Sequence, residues 1–69
     1  MDNIIGRRVE WAEEDGKVAT GFIASAKVQH HEWLGMDLTH VEINWDDNHE
    51  VTQHTLEAML KDPRVKVGH

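Results

Sequence analysis

The chain has 69 residues, with thirteen acids against seven bases, six histidines and no cysteine, for a formal net charge of −6 at pH 7. A chain this short buries only roughly 60% of the surface its unfolded form exposes, which leaves little material for a deep catalytic pocket and predicts a single domain over residues 1–69. The missing cysteine excludes a disulfide scaffold and a thiolate zinc site, and the acidic balance disfavours nucleic acid, whose non-specific affinity comes from Lys and Arg, in favour of a protein partner.

The N-terminus, Met1-Asp2-Asn3-Ile4-Ile5, is too short and too acidic for a signal peptide, and no apolar run approaches the ~18–20 residues that a membrane helix needs. A cytoplasmic protein is therefore expected. Arg7-Arg8-Val9-Glu10-Trp11-Ala12 then alternates apolar Val9 and Trp11 with charged residues, the pattern of a half-buried strand. Glu13-Glu14-Asp15-Gly16 follows, and Asp-Gly between two apolar alternations is a strong hairpin signal, because glycine accepts a positive φ without steric cost.

Lys17 to Gln29 is the longest segment. Val18, Phe22 and Val28 share one parity and Ile23 the other, so a strand here must change which side it buries. Gly21 or the small pair Ala24-Ser25 can supply the bulge or kink. A helix over Ala19–Val28 is the rival reading, opposed by Thr20, Gly21 and the β-branched residues. His30 to Thr39 reads as a loop around Gly35, and its Trp33, Leu34 and Met36 are expected to pack back on the body.

His40-Val41-Glu42-Ile43-Asn44-Trp45 is the cleanest strand, with Val41, Ile43 and Trp45 on one face. Asp46-Asp47-Asn48 is turn chemistry, since these side chains bond locally to backbone. Glu50–Gln53 is the return strand of a second hairpin. Thr55 can cap a short helix from Leu56 to about Lys61, which Pro63 ends, and Leu56, Met59 and Leu60 give it an apolar stripe. Arg64–Val67 closes the chain as a short strand with Val65 and Val67 inward. The sum is an all-β fold: a small five-stranded SH3-like barrel with one short helical turn near the C-terminus. An α+β domain with a longer helix is the alternative.

These segments resemble Tudor- and KOW-type SH3-like domains over roughly residues 7–60. Val9 to Val18 is similar to their opening strand and acidic Asp-Gly turn, and Gly21-Phe22-Ile23 to their second strand. Val41 to Asn48 resembles their apolar-x-aromatic run into an acidic turn, while Val51 and Leu56 fall where such domains place a closing valine and a helical-turn leucine. The resemblance implies a binding module. The chain departs from the methyl-reading members, which use an aromatic cage often rich in tyrosine. It has no tyrosine, and Asp46, Asp47 and Asn48 stand where a further aromatic is expected.

Three tryptophans in so short a chain are the main functional signal, since tryptophan is enriched at binding hot spots. Trp45 shares its face with core residues, Trp11 ends a strand beside an acidic turn, and Trp33-Leu34-Met36, if exposed, make an apolar patch of interface type. Glu13-Glu14-Asp15 and Asp46-Asp47 occupy two hairpin tips that lie near each other in such a barrel. Carboxylates beside tryptophan suit a cationic peptide, although solvated turns carry the same residues. A protein-binding surface is therefore expected at Trp11, Trp33, Leu34, Met36, Trp45, Asp46 and Asp47. Arg7, Arg8, Arg64 and Lys66 form a basic face if the termini meet, and would be the contacts of a nucleic-acid or transcription-associated barrel. Adjacent His30 and His31 point to opposite faces of a strand, poor geometry for one metal, so no metal or cofactor is expected. No phosphate loop, nucleophile elbow or catalytic pair is present. A non-catalytic adaptor or regulator is the leading reading. A subunit that completes an enzyme site only in an oligomer is a third.

Overall fold

The computed structural model describes residues 4–68. Met1, Asp2 and Asn3, three of the five residues read against a signal peptide, and His69 lie outside them. The elements are β1 (Arg8–Ala12), β2 (Val18–His31), β3 (Met36–Trp45), β4 (Val51–Thr55), α1 (Leu56–Lys61) and β5 (Val65–Val67). The five strands form one antiparallel sheet in the order β4-β3-β2-β1-β5. The fold is mostly β with one short helix, as the alternation of apolar residues predicts, and the segment Ala19–Val28 is strand throughout. The expected closure into a barrel is not made: among the described residues no ladder joins β4 to β5. Instead α1 packs against β3, β4 and β5 and bridges the opening.

Two-residue alternation builds the core. Val9 on β1, Ile23 on β2 and Val41 and Ile43 on β3 are at most 1% exposed, and Met59 of α1 covers them. Trp11, Trp45, Leu56, Val65 and Val67 are half-buried around this group. In β2 the inward parity changes at Ala24, the extra residue of a bulge between Ile23 and Ser25, so that Ile23 and then Ala26 face the core. Gly21 pairs with Val9 on one side and Trp45 on the other. A Cβ there would stand 2.5 Å from the carbonyl oxygen of Asn44, so the close approach of β2 and β3 requires glycine.

The turns follow their side chains. Asp15 Oδ1 accepts from the N–H of Lys17 at 3.0 Å, Asn48 Oδ1 from that of Glu50 at 3.0 Å, and Asp62 Oδ1 from that of Arg64 at 2.9 Å. Gly16 and Gly35 adopt positive φ, and so does His49 at 57°. Thr55 stands at the helix N-cap, but its hydroxyl makes no cap bond.

The segment His30–Thr39 differs most from expectation. His30 and His31 belong to β2 and Met36–Thr39 to β3, leaving a turn of Glu32–Gly35 only. The turn does not pack on the body: Trp33 is fully exposed, and Leu34 and Met36 are 62% and 47% exposed. The reason lies in the ladders. β1 accompanies β2 no further than Phe22, and β4 accompanies β3 only from His40 onward. Beyond those points β2 and β3 pair only with each other and run out as a two-stranded arm. Cross-strand polar pairs tie it, His30 Nδ1 to Asp37 Oδ1 at 2.7 Å and His31 Nε2 to His40 Nε2 at 2.8 Å.

Candidate functional site

On the same side of the sheet as the core, next to the filled region, lies an open cleft of about 330 Å³. Its walls are aromatic. Trp11 comes from the end of β1 and Trp45 from the end of β3, with ring centroids 6.3 Å apart and planes at 65°, an edge-to-face pair. His54 of β4 completes the group at 5.1 Å from Trp11 and 6.4 Å from Trp45. β1 and β4 are separated by two strands in the sheet order, so the Trp11–His54 contact shows how far the sheet curls.

A hydrogen-bond chain fixes two of these rings. The Trp45 indole N–H donates to Thr52 Oγ1 at 2.7 Å, and Thr52 Oγ1 lies 2.6 Å from His54 Nε2. With the indole proton already directed at its oxygen, the Thr52 hydroxyl still has its own proton, which it can give to His54 Nε2. That arrangement is complete for a neutral imidazole carrying its proton on Nδ1. Burial also favours the neutral form, holding the His54 pKa below its ordinary value of 6.5.

The rim is acidic. Glu13 from the β1–β2 turn and Asp47 and Glu50 from the β3–β4 loop line the cleft. None of the three makes a salt bridge among the described residues. One residue of each acidic hairpin tip, Glu13 and Asp47, therefore lines the same opening. Asp46 is turned away from that role: its carboxylate accepts from Arg8 at 2.9 Å and from the Thr20 hydroxyl at 3.0 Å, and so ties the β3–β4 loop to β1 and β2. Arg64 places its guanidinium 6.0 Å from the Trp11 ring centroid. Two hydrogen bonds to Asp62, at 3.1 and 2.8 Å, hold it there. They also lower the Asp62 pKa to about 2.

Of the residues expected to bind a partner, Trp11, Trp45 and Asp47 come together in the cleft, and Asp46 lies behind its rim. Trp33, Leu34 and Met36 stand at the far end of β2, on the arm. The four bases do not form an unpaired patch. Arg8 is bound to Asp46, Arg64 to Asp62, and Lys66 lies directly across from Glu10 on the β1–β5 ladder, while Arg7 is half-buried before β1. The histidines do not gather at one point: His30 and His31 go to opposite faces, His31 meets His40, and among the described residues no three donor side chains converge as a metal would need.

The sequence reading missed Thr52, His54 and Glu50. Their signal was present in the alternation of β4. Carried on to Thr55 rather than stopped at Gln53, it places Thr52 opposite Ile43 and His54 opposite Val41, on the buried face. Glu57 was also missed. Its carboxylate accepts the Thr39 N–H and so ends the free edge of β3. Burial pushes its pKa up, but hydrogen bonds from Thr39 and from its own amide, with the nearby His40, together outweigh this and leave it lowered.

Among the described residues no helix is long and apolar enough to cross a membrane. Comparison with known protein families, with curated proteins and with solved structures finds no match to this chain.

Proposed function

We propose that this chain is a non-catalytic protein-interaction module of SH3-like, Tudor-related type, and that the Trp11–Trp45–His54 cleft takes a cationic segment of a partner protein. One observation carries the reading: three aromatic rings line an open cleft whose rim holds three carboxylates without basic partners among the described residues. A cation is attracted by the faces of the tryptophans and by the rim charge together. The exposed Trp33-Leu34-Met36 tip is a second, separate apolar contact on the same partner. The pairing of Arg8 and Arg64 with carboxylates, and of Lys66 with Glu10 across the ladder, weighs against a phosphate-binding face.

The test is titration of the chain with the peptide acetyl-Gly-Arg-Gly-Arg-Gly amide, read by tryptophan fluorescence and by amide chemical shifts. Binding should perturb Trp11, Trp45 and Thr52, weaken with salt, and fall several-fold in Asp47→Asn/Glu50→Gln, which removes rim charge without touching the core. A peptide that leaves those resonances unmoved, or an unchanged affinity in the double variant, removes the cleft from the proposal. Tight binding of an oligonucleotide with a steep salt slope would replace it with the nucleic-acid reading.

A further inference from the structure

His54 occupies an unusual position for a titratable side chain. It stands against both tryptophans, and among the residues lining the cleft it is the one that can itself become a cation near neutral pH. Its neutral form is well accommodated: Nε2 lies 2.6 Å from Thr52 Oγ1, which can give it the hydroxyl proton while the oxygen accepts the Trp45 N–H. Protonation of Nε2 would direct two N–H donors at that one oxygen and leave the hydroxyl proton to find another acceptor. The same event would place a positive charge 5.1 Å from the centre of Trp11, where an incoming cation would otherwise find the ring.

The charged groups around it sharpen the competition. Glu13 from the β1–β2 turn and Asp47 and Glu50 from the β3–β4 loop share the cleft with His54. From the β5 side Arg64 already stands over Trp11, and Glu14 acts on Arg64. On α1, Glu57 is engaged with the Thr39 amide. His49, on the same loop as Asp47 and Glu50, is a second, exposed imidazole, so it is the residue from which His54 must be told apart.

We propose that His54 is a proton-operated gate on the cleft: neutral, it leaves the aromatic walls and the acidic rim to a cationic segment of a partner, and protonated, it supplies the cation itself and expels that segment. The gate rests on the reading of the cleft as a cation-binding site. It requires reciprocity, since a ligand that prefers neutral His54 must make His54 harder to protonate by the same factor.

The experiment uses the intact chain and the same arginine peptide at about pH 7.5 and about pH 5, a window in which ordinary carboxylates stay mostly ionised and histidines do not stay neutral. The affinity of the natural chain should fall by about tenfold across the window. In His54→Gln it should change less than about twofold, and in His49→Gln it should fall as in the natural chain. A second readout needs no variant: the imidazole titration of His54, followed by nuclear magnetic resonance, should move to lower pH when the peptide is added. A fall of equal size in His54→Gln, or a His54 titration indifferent to peptide, overturns the gate and leaves the cationic cleft standing. A peptide that binds at neither pH overturns both.

Discussion

Trp45 and Trp33 belong to the same hairpin, yet they meet opposite fates. Trp45 ends β3 where β2 and β4 flank it on both sides, and the sheet curls so that Trp11 and His54 close over it. Trp33 sits at the tip of an arm where β2 and β3 have only each other, and its indole is fully exposed. A strand pair alone has no concave face. Burial needs neighbours that bend over the side chain, and the ladders with β1 and β4 stop before the arm begins. The body and the arm are therefore two regimes within one sheet, and the difference between them sets what each substitution does.

The largest contrast is in stability. Ile43→Ala empties a position with no solvent exposure and should cost about 3 kcal/mol, most of the stability of a domain whose total is of the order of 5 kcal/mol. Trp33→Ser deletes a larger side chain from the arm and should shift the urea midpoint by less than about 0.5 kcal/mol equivalent. Comparable losses from the two would mean that the arm packs against the body in solution.

The next effect probes how closely the body is assembled. Gly21→Ala adds one methyl group where the Asn44 backbone is already in contact, and should cost about 2 kcal/mol by forcing β2 and β3 apart. Amide exchange should quicken along the Gly21–Trp45 pairing and stay unchanged at the arm. Uniform quickening would show that body and arm unfold as one.

A third effect is in pH. The His54 pKa is lowered in the folded chain by burial, so the unfolded chain binds the proton more readily. Stability due to His54 is therefore complete above its unfolded pKa of about 6.5 and declines as pH falls toward the folded value. Thermal unfolding at several pH values should show that decline, and His54→Gln should remove it, while His30→Gln on the arm should leave it in place.

The smallest expected effect compares two hairpin loops, each holding a left-handed residue near its end. The arm uses Gly35, with φ 63°, and the body uses His49, with φ 57°. His49→Gly should stabilise the body by about 0.5 kcal/mol, since the left-handed strain that is relieved slightly exceeds the added flexibility of the unfolded chain. A loss of stability instead would reveal a contact of the His49 ring that outweighs its backbone.

Much of this molecule was legible in the order of its residues. Alternation gave β1 and most of β3 and their buried faces, because side chains on a strand point to opposite sides in turn. Asp15, Gly16 and Asn48 announced two hairpins through bonds that depend only on local backbone. The stop at Pro63 and the apolar Leu56 and Met59 placed α1 where it is found, but Leu60, expected on the same stripe, is exposed because the helix buries only the face toward the sheet, and Thr55 makes no side-chain cap bond. The switch of parity in the longest segment called for a bulge or kink at Gly21 or at Ala24-Ser25, and the bulge is found between Ile23 and Ser25. What sequence could not assign was anything set by strands distant along the chain. Whether Trp33 is covered depends on where β1 and β4 end. The cleft needs the curl that carries β4 to β1, and that curl brings His54 against Trp11 across 43 positions of sequence. Local chemistry determined the strands and turns, because their hydrogen bonds and side-chain periods are short-range. Tertiary structure decided which aromatic rings became a site, because a concave surface exists only when several strands bend together.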